Sequence, residues 1–293
     1  MNVLHSPRAR SGLLSVLLLL LILAAWQLAT GSGPAAAPAV QMTAEEIEYA
    51  KLLGKDPTGT GGGDAAKSGF PTPAQMGAAI VTHLSSPFYD NGPNDKGVGL
   101  QLGYSLGRVA LGYLIAAAVA IPLGFVIGMS PLVYRALDPF IQVLKPISPL
   151  AWMPLALYTI KDSNISGIFV IFICSVWPML INTAFGVAGV RREFLNVAKT
   201  LEVSPLRKAF EVILPAAAPT ILTGMRISMS IAWLVIVAAE MLVGGTGIGY
   251  FVWNEWNNLS LPNVLFAILV IGVVGMALDL MFARLQKAVT YVD

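Results

Sequence analysis

Charge is scarce in this chain: Asp, Glu, Lys and Arg make up 12% of its 293 residues, while 56% are hydrophobic. An ordinary soluble domain carries about twice that share of charge. With a mean hydropathy of +0.73, the sequence has too few polar groups to cover a globular surface, and water is not its main solvent. Cysteine is almost absent. The single Cys174 excludes an internal disulfide framework and any multi-cysteine metal site, and its apolar surroundings in the sequence read it as a small hydrophobe. The two histidines, His5 and His83, lie far apart, so no metal is assigned. A net charge of +2 with no basic stripe gives no support to nucleic-acid binding.

What the chain has in abundance is long apolar runs with few charges. A helical membrane span needs about 20 mostly apolar residues, and six runs approach or exceed that length: Leu13 to Leu28; Leu102 to Met129, interrupted by Arg108; Leu137 to Ile160, interrupted by Asp138 and Lys145; Ser166 to Val190, with no charge at all; Ala216 to Val243, with Arg226 and Glu240 inside it; and Asn263 to Phe282, with Asp279 near its end. The first follows Arg8 and Arg10 and precedes a Gly/Pro/Ala stretch, so it reads as either an anchor or a signal peptide. It is longer than the roughly 7–15 residues of a signal core, which favours a retained span. Prolines 122, 146, 149, 154 and 178 inside the runs imply tilts and kinks.

Six spans place both termini on one side of the bilayer, and Lys/Arg placement decides which. Arg8, Arg10, Arg135, Arg191, Arg192, Lys199, Arg207, Lys208, Arg284 and Lys287 fall on one side, against Lys51, Lys55, Lys67, Lys96 and Lys161 on the other. The expected organisation is therefore an all-α polytopic membrane protein of about six transmembrane helices. Residues 1–30 give a cytoplasmic N-terminus and first span, 31–100 a periplasmic insertion, and 101–293 a core with a cytoplasmic loop at 191–215.

The outer insertion carries helix signals of its own. Thr43 with Glu46, and Thr72 with Gln75 after Pro73, each fit a capping box, and Gly59 to Gly63 reads as a flexible tract between them. Gly61 to Ser68, GGGDAAKS, approaches a phosphate-binding loop but has Ala66 at the second glycine and no preceding strand, which rejects it. Gly245 to Gly249, GTGIG, follows an apolar helix and reads as a turn, not a dinucleotide site.

The segment Arg191 to Pro215 is the most informative. Phe194, Val197, Ala198 and Leu201 recur at helical spacing. Ser204 and Pro205 then supply an N-cap and a first-turn proline for a second helix, with Leu206, Phe210 and Ile213 as its apolar side. The pattern predicts a bent pair of amphipathic helices. A helix lying on lipid headgroups concentrates Lys and Arg on its polar face; here Glu193, Glu202 and Glu211 alternate with the bases, which tilts the reading from the membrane surface towards a protein partner, with packing against the chain's own spans as the other alternative.

This loop resembles the EAA loop of permeases of ATP-binding-cassette importers, and the likeness continues through Leu137-Asp138-Pro139, Lys145 to Pro154, Trp177 to Thr183, Leu222 to Ile227 and Ala232 to Met241. Together these are similar to the nitrate, bicarbonate, taurine and sulfonate permease family, over roughly Gly99 to Ala288. Asn196 to Lys199, Gly247 to Trp253 and the long outer insertion resemble its nitrate/bicarbonate branch most.

The resemblance implies a type I importer permease fold, with no catalytic residue and no cofactor of its own. ATP and Mg would be handled by two cytoplasmic ATP-binding subunits, a periplasmic or lipid-anchored anion-binding protein would deliver solute, and a second permease copy would complete a homodimer in the lipid bilayer. The implied coupling residues are Phe194, Asn196, Val197, Ala198, Lys199, Leu201, Glu202, Ser204, Pro205, Arg207, Phe210 and Pro215. Val197, Ala198, Leu201 and Phe210 would fill a groove on the ATPase while Lys199, Glu202 and Arg207 set register at its rim. Asn196 stands where the motif has glutamate and Glu202 where it has glycine; a side chain there disfavours a tight turn.

Charges within spans point to function by default. Lys145, Arg226 and Glu240 are the candidates for the substrate path, the two bases as electrostatic attractors of an anion and Glu240 or Asp279 as a partner for a base. Asp279 and Glu240 also fall near opposite ends of their runs, where snorkelling or water would serve them. The solute is expected to be a small inorganic anion, nitrate first, with bicarbonate, nitrite or cyanate, and taurine or another sulfonate after it. An ion-gradient-driven secondary transporter is the rival of a different class, and the absence of an internal repeat counts against it.

Overall fold

The computed structural model describes residues 7–31, 70–92 and 95–289, and the regular elements among them are helices. In chain order they are α1 (Pro7–Gly31), α2 (Pro73–Ser85), α3 (Val98–Met129), α4 (Pro131–Leu144), α5 (Pro149–Ile160), α6 (Ser163–Ala188), α7 (Arg192–Thr200), α8 (Pro205–Lys208), a π-helical turn (Ala209–Ile213), α9 (Leu214–Val243), α10 (Ile248–Asn257) and α11 (Leu261–Val289). The expected Thr43–Glu46 cap, the Gly59–Gly63 tract and the GGGDAAKS stretch lie outside the described residues.

Five helical runs are long and apolar enough to cross a membrane, namely α1, α3, α6, the continuous run Pro205–Val243 and α11, and a sixth is obtained if α4 and α5 count as one bent span. That pair corrects the single run expected at Leu137 to Ile160. It turns through 90° between Leu144 and Pro149. The cause is local: Pro146 and Pro149 lack amide hydrogens, and Ser148 takes an extended ψ of 135° ahead of Pro149, as steric pressure from a following proline requires.

Contacts divide the chain into two units, Met1–Thr82 with Trp256–Phe266 and His83–Glu255 with Ala267–Asp293. In the first, Trp26 closes α1: its indole N–H donates to Pro71 O at 2.9 Å and its ring meets Phe70 edge-on at 5.9 Å. The capping box foreseen at Thr72 is formed. Thr72 N donates to Gln75 Oε1 at 3.0 Å and Gln75 N to Thr72 Oγ1 at 3.3 Å, which satisfies two amides at the start of α2.

In the second unit α6 packs between α3 and α9. The buried residues of α3, among them Gln101, Ser105, Val109, Gly112, Ala116, Ala120 and Gly124, follow one another at three or four positions and form one stripe of small side chains. Small residues are what lets membrane helices approach, since apolar burial from water offers no drive between them there. A Cβ at Gly112 would lie 2.8 Å from Ile168 O, and one at Gly124 2.7 Å from Thr183 Cβ. Polar ties fix the register: Tyr113 OH donates to Met225 O at 3.0 Å, Ser228 Oγ to Ser175 O at 2.8 Å and Trp233 Nε1 to Ile271 O at 3.0 Å. Cys174 packs beside the core formed by Met153, Val170 and Val235, in keeping with its reading as a small hydrophobe.

Candidate functional site

The 191–215 segment forms the bent pair read from its periodicity, with corrections in detail. The first helix, α7, ends in a Schellman arrangement: Val203 N donates to Ala198 O and Glu202 N to Lys199 O, both at 3.0 Å. Glu202 carries the left-handed backbone this needs, with φ at 51°. The tight turn that its side chain disfavoured is therefore made despite it, and the carbonyl partners hold it there. A left-handed non-glycine residue costs roughly 1–2 kcal/mol. Accordingly Glu202→Gly is expected to retain full association with ATPase subunits in a pull-down, whereas the β-branched Glu202→Val, for which this φ is far less accessible, lowers it severalfold.

The second helix is not separate. α8 passes through the π turn into α9, so Pro205–Val243 is one helical run. Pro215 supplies a physical reason: its ring would collide with the carbonyl four residues back, at Glu211, in a regular helix, and a wider turn at Ala209–Ile213 relieves that collision. Ser204 occupies the N-cap position, yet its hydroxyl makes no capping bond.

The apolar residues of the segment divide in two. Phe194, Val197, Leu201, Leu206 and Phe210 are exposed, between 49% and 75%. Ala198 and Ile213 are buried within the chain's own core, Ile213 beside Val187, Val190 and Ala217. Ala198 is thus corrected from a groove-filling residue to the internal packing point of α7, and Leu206 takes a place that the motif did not give it. Asn196, Lys199 and Pro205 are exposed. Arg207, expected at a rim, is paired along its own helix with Glu211, Nε to Oε2 at 2.8 Å.

Four of the intramembrane charges resolve into two pairs, Arg226 with Asp279 and Arg108 with Glu240. Arg226 donates from Nε and Nη2 to the two oxygens of Asp279, each at 2.6 Å. Lys145 sits exposed at the 90° break with no ion pair among the described residues. Glu240 is only 4% exposed, which corrects the snorkelling expectation: the carboxylate is enclosed by protein at the α9 end. Arg108 Nη1 donates to its Oε1 at 2.7 Å, Ser105 Oγ to its Oε2 at 2.8 Å and Gly249 N to its Oε2 at 3.0 Å.

The GTGIG stretch explains how this is built. Gly244, Gly245 and Gly247 take φ of 76°, 98° and 139°, which reverses the chain after α9 and brings the start of α10 onto Glu240. A Cβ at Gly247 would fall 2.2 Å from Glu240 Cδ, and one at Gly249 2.1 Å from Val237 O. A helix N-terminus attracts a negative group, and here that group is the chain's own glutamate. The stretch is therefore the turn it was read as, with an internal carboxylate in place of any external phosphate.

Arg108 completes the cluster. Its Nη1 also reaches Thr246 O, its Nη2 reaches Thr246 Oγ1 at 3.1 Å, and Nε and Nη2 both reach Asn164 Oδ1 at 3.0 and 2.6 Å. One side chain thereby ties α3, the first turn of α6 and the turn after α9. Sequence reading met Arg108 only as an interruption of a span. The available signal was charge balance, since Arg108, Arg226, Glu240 and Asp279 are two bases and two acids in apolar runs and must pair or face water. Which base meets which acid depends on helix neighbours distant in sequence, 53 residues apart for Arg226 and Asp279 and 132 apart for Arg108 and Glu240.

Residues 120–291 match the family described as binding-protein-dependent transport system inner membrane component. The chain is 45% identical over 222 residues to the nitrate import permease protein NrtB of Synechocystis sp., which covers 76% of this chain and 81% of that one. It is 46% identical over 209 residues to the bicarbonate transport system permease protein CmpB of the same organism, covering 71% and 75%. Among solved structures, an inward-facing form of the MetNI methionine ABC transporter is similar with a TM-score of 0.60 at 12% identity, over 66% of this chain and 96% of that chain. That likeness concerns the fold. The multi-pass helical architecture and the match over residues 120–291 agree: this chain belongs to the binding-protein-dependent transport system inner membrane component family, with nitrate and bicarbonate import permeases among its relatives.

Proposed function

We propose that this chain is the permease subunit of an ATP-binding-cassette importer that moves a small inorganic anion, nitrate foremost, into the cytoplasm by alternating access. The observation that carries the reading is the exposed apolar edge of the 191–215 segment, Phe194, Val197, Leu201, Leu206 and Phe210, the last two of them on the helical run that continues into a span. Five large apolar side chains in one short polar segment call for a partner that covers them, and two ATP-binding subunits docked there would push directly on α9. Both termini and this segment lie on the cytoplasmic side, residues 31–100 face outward, and a second copy of the chain completes the path. An outer anion-binding protein supplies the solute. The permease itself is non-catalytic; ATP and Mg belong to the partner subunits.

Bicarbonate is the second reading, carried by the 46% identity to a bicarbonate transport permease. The test is uptake into vesicles holding the reconstituted permease, with ATPase subunits and ATP inside and the binding protein outside. Nitrate is expected to enter only with all components present, and bicarbonate to compete poorly. Uptake driven by an ion gradient without ATP would instead identify a secondary transporter.

A further inference from the structure

We propose that the recess beside Arg108 is a binding site for a small oxyanion, in which the anion takes over the guanidinium edge that Asn164 now occupies. This rests on the anion-import reading above. The recess, about 490 Å³ and open to solvent, is lined by Lys96, Arg108, Ser163, Asn164 and the turn Gly244 to Thr246. It lies where α6 begins and α9 ends, and the 191–215 segment joins the other ends of those two helices, so the recess and that segment are at opposite ends of the bundle.

No carboxylate lines it. Glu240 stands behind Arg108, and Asp90 holds one side of the Lys96 ammonium. The two edges of the guanidinium are used unequally. Nη1 is committed to the buried Glu240 Oε1 and to Thr246 O, which fixes the plane of the group. Nε and Nη2 converge on a single exposed amide oxygen, Asn164 Oδ1, with the second Nη2 hydrogen on Thr246 Oγ1. That edge is the one that fits two oxygens of an oxyanion side by side, and such a bidentate anion adds opposite-charge attraction and a second acceptor to what the neutral amide supplies. An arriving anion would set one oxygen on Nε and one on Nη2, displacing an amide that offers both donors only one. The Lys96 ammonium and the Ser163 and Thr246 hydroxyls are donors for what remains of the anion. Asn164 is then a placeholder: it satisfies Arg108 while the site is empty and sets the threshold that an anion must exceed.

Purified permease–ATPase complex, without binding protein, is titrated with sodium nitrate, sodium bicarbonate or sodium chloride while its thermal midpoint is followed, because a ligand that binds the folded state raises it. Wild type is expected to be stabilised by nitrate or bicarbonate above the chloride control. Asn164→Ala removes the competing oxygen and is expected to shift the half-effect to severalfold lower anion concentration. Asn164→Asp puts a carboxylate on the same edge and is expected to raise it by tenfold or more. Asn164 is exposed, so both variants are expected to fold, and a merely structural asparagine would not give changes of opposite sign. Identical titrations for the three proteins, or none distinguishable from chloride, overturn the site. Vesicle uptake by the complete system is read separately: normal ATP-driven nitrate uptake with flat titrations rejects this site alone, and absent uptake rejects the import reading.

Discussion

Leu201→Asp is expected to abolish co-purification of the permease with the proposed ATPase subunits while the chain still inserts in the membrane. Leu201 is 70% exposed at the end of α7, with Phe194 and Val197 exposed on the same helix. The substitution therefore leaves the permease's own core untouched, and its effect falls on whatever covers that face. A carboxylate placed unpaired in an apolar contact costs several kcal/mol, and about 3 kcal/mol already weakens association more than a hundredfold. Leu201→Ala, which trims the contact without adding charge, gives a loss of about tenfold. Ala198→Asp behaves differently, because Ala198 is buried inside the chain: it lowers the yield of folded permease itself. Pull-down from detergent with tagged ATPase distinguishes the three, and undiminished recovery with Leu201→Asp rejects the proposed docking face.

The second large effect is expected at Glu240. Glu240→Ala leaves Arg108 without its buried counter-charge, and Ser105 Oγ and Gly249 N without the acceptors they now reach at 2.8 and 3.0 Å. Breaking one side of a buried pair costs about 3–5 kcal/mol, here with side-chain exposures of 13% for Arg108 and 4% for Glu240. The expected result is a large fall in the thermal midpoint of the detergent-purified protein and loss of its monodisperse fraction. Glu240→Gln keeps the shape and one acceptor oxygen, loses the charge, and falls between. The Arg226–Asp279 pair is more open, at 38% and 39%, and Asp279→Asn is correspondingly milder. An unaltered midpoint for Glu240→Ala would show that the cluster does not hold the α9 end.

Much of the architecture was legible in the sequence because the signals behind it are local. A span needs only length and lack of charge, and a capping box only two side chains three residues apart, so α3, α6, α9 and the start of α2 emerged with boundaries shifted by a few residues. The α4–α5 bend was carried by Pro146 and Pro149, but proline gives a place to break and not an angle. The segment at 191–215 was legible as two helices, yet periodicity alone did not separate Ala198 and Ile213, which turn inward, from Leu206, which turns outward. That division depends on where α7 lies against the rest of the chain. The Arg108 cluster escaped for the same reason. Its members, Ser105, Arg108, Asn164, Glu240 and Thr246, come from three stretches of chain, and each alone has an ordinary explanation.

The unbroken run Pro205–Val243 spans 39 residues, or roughly 58 Å at about 1.5 Å per residue. Leu206 stands at its beginning and Glu240 near its finish, and Gly224 meets Asn182 and Pro178 O about midway. Were such a rod to pivot there, it would act as a seesaw. A shift of about 3 Å at the Leu206 tip would become one of similar size and opposite direction at the carboxylate, enough to part hydrogen bonds that hold only within about 3.2 Å. A nudge from one face of the bilayer would thereby be felt at the other as the unfastening of Arg108.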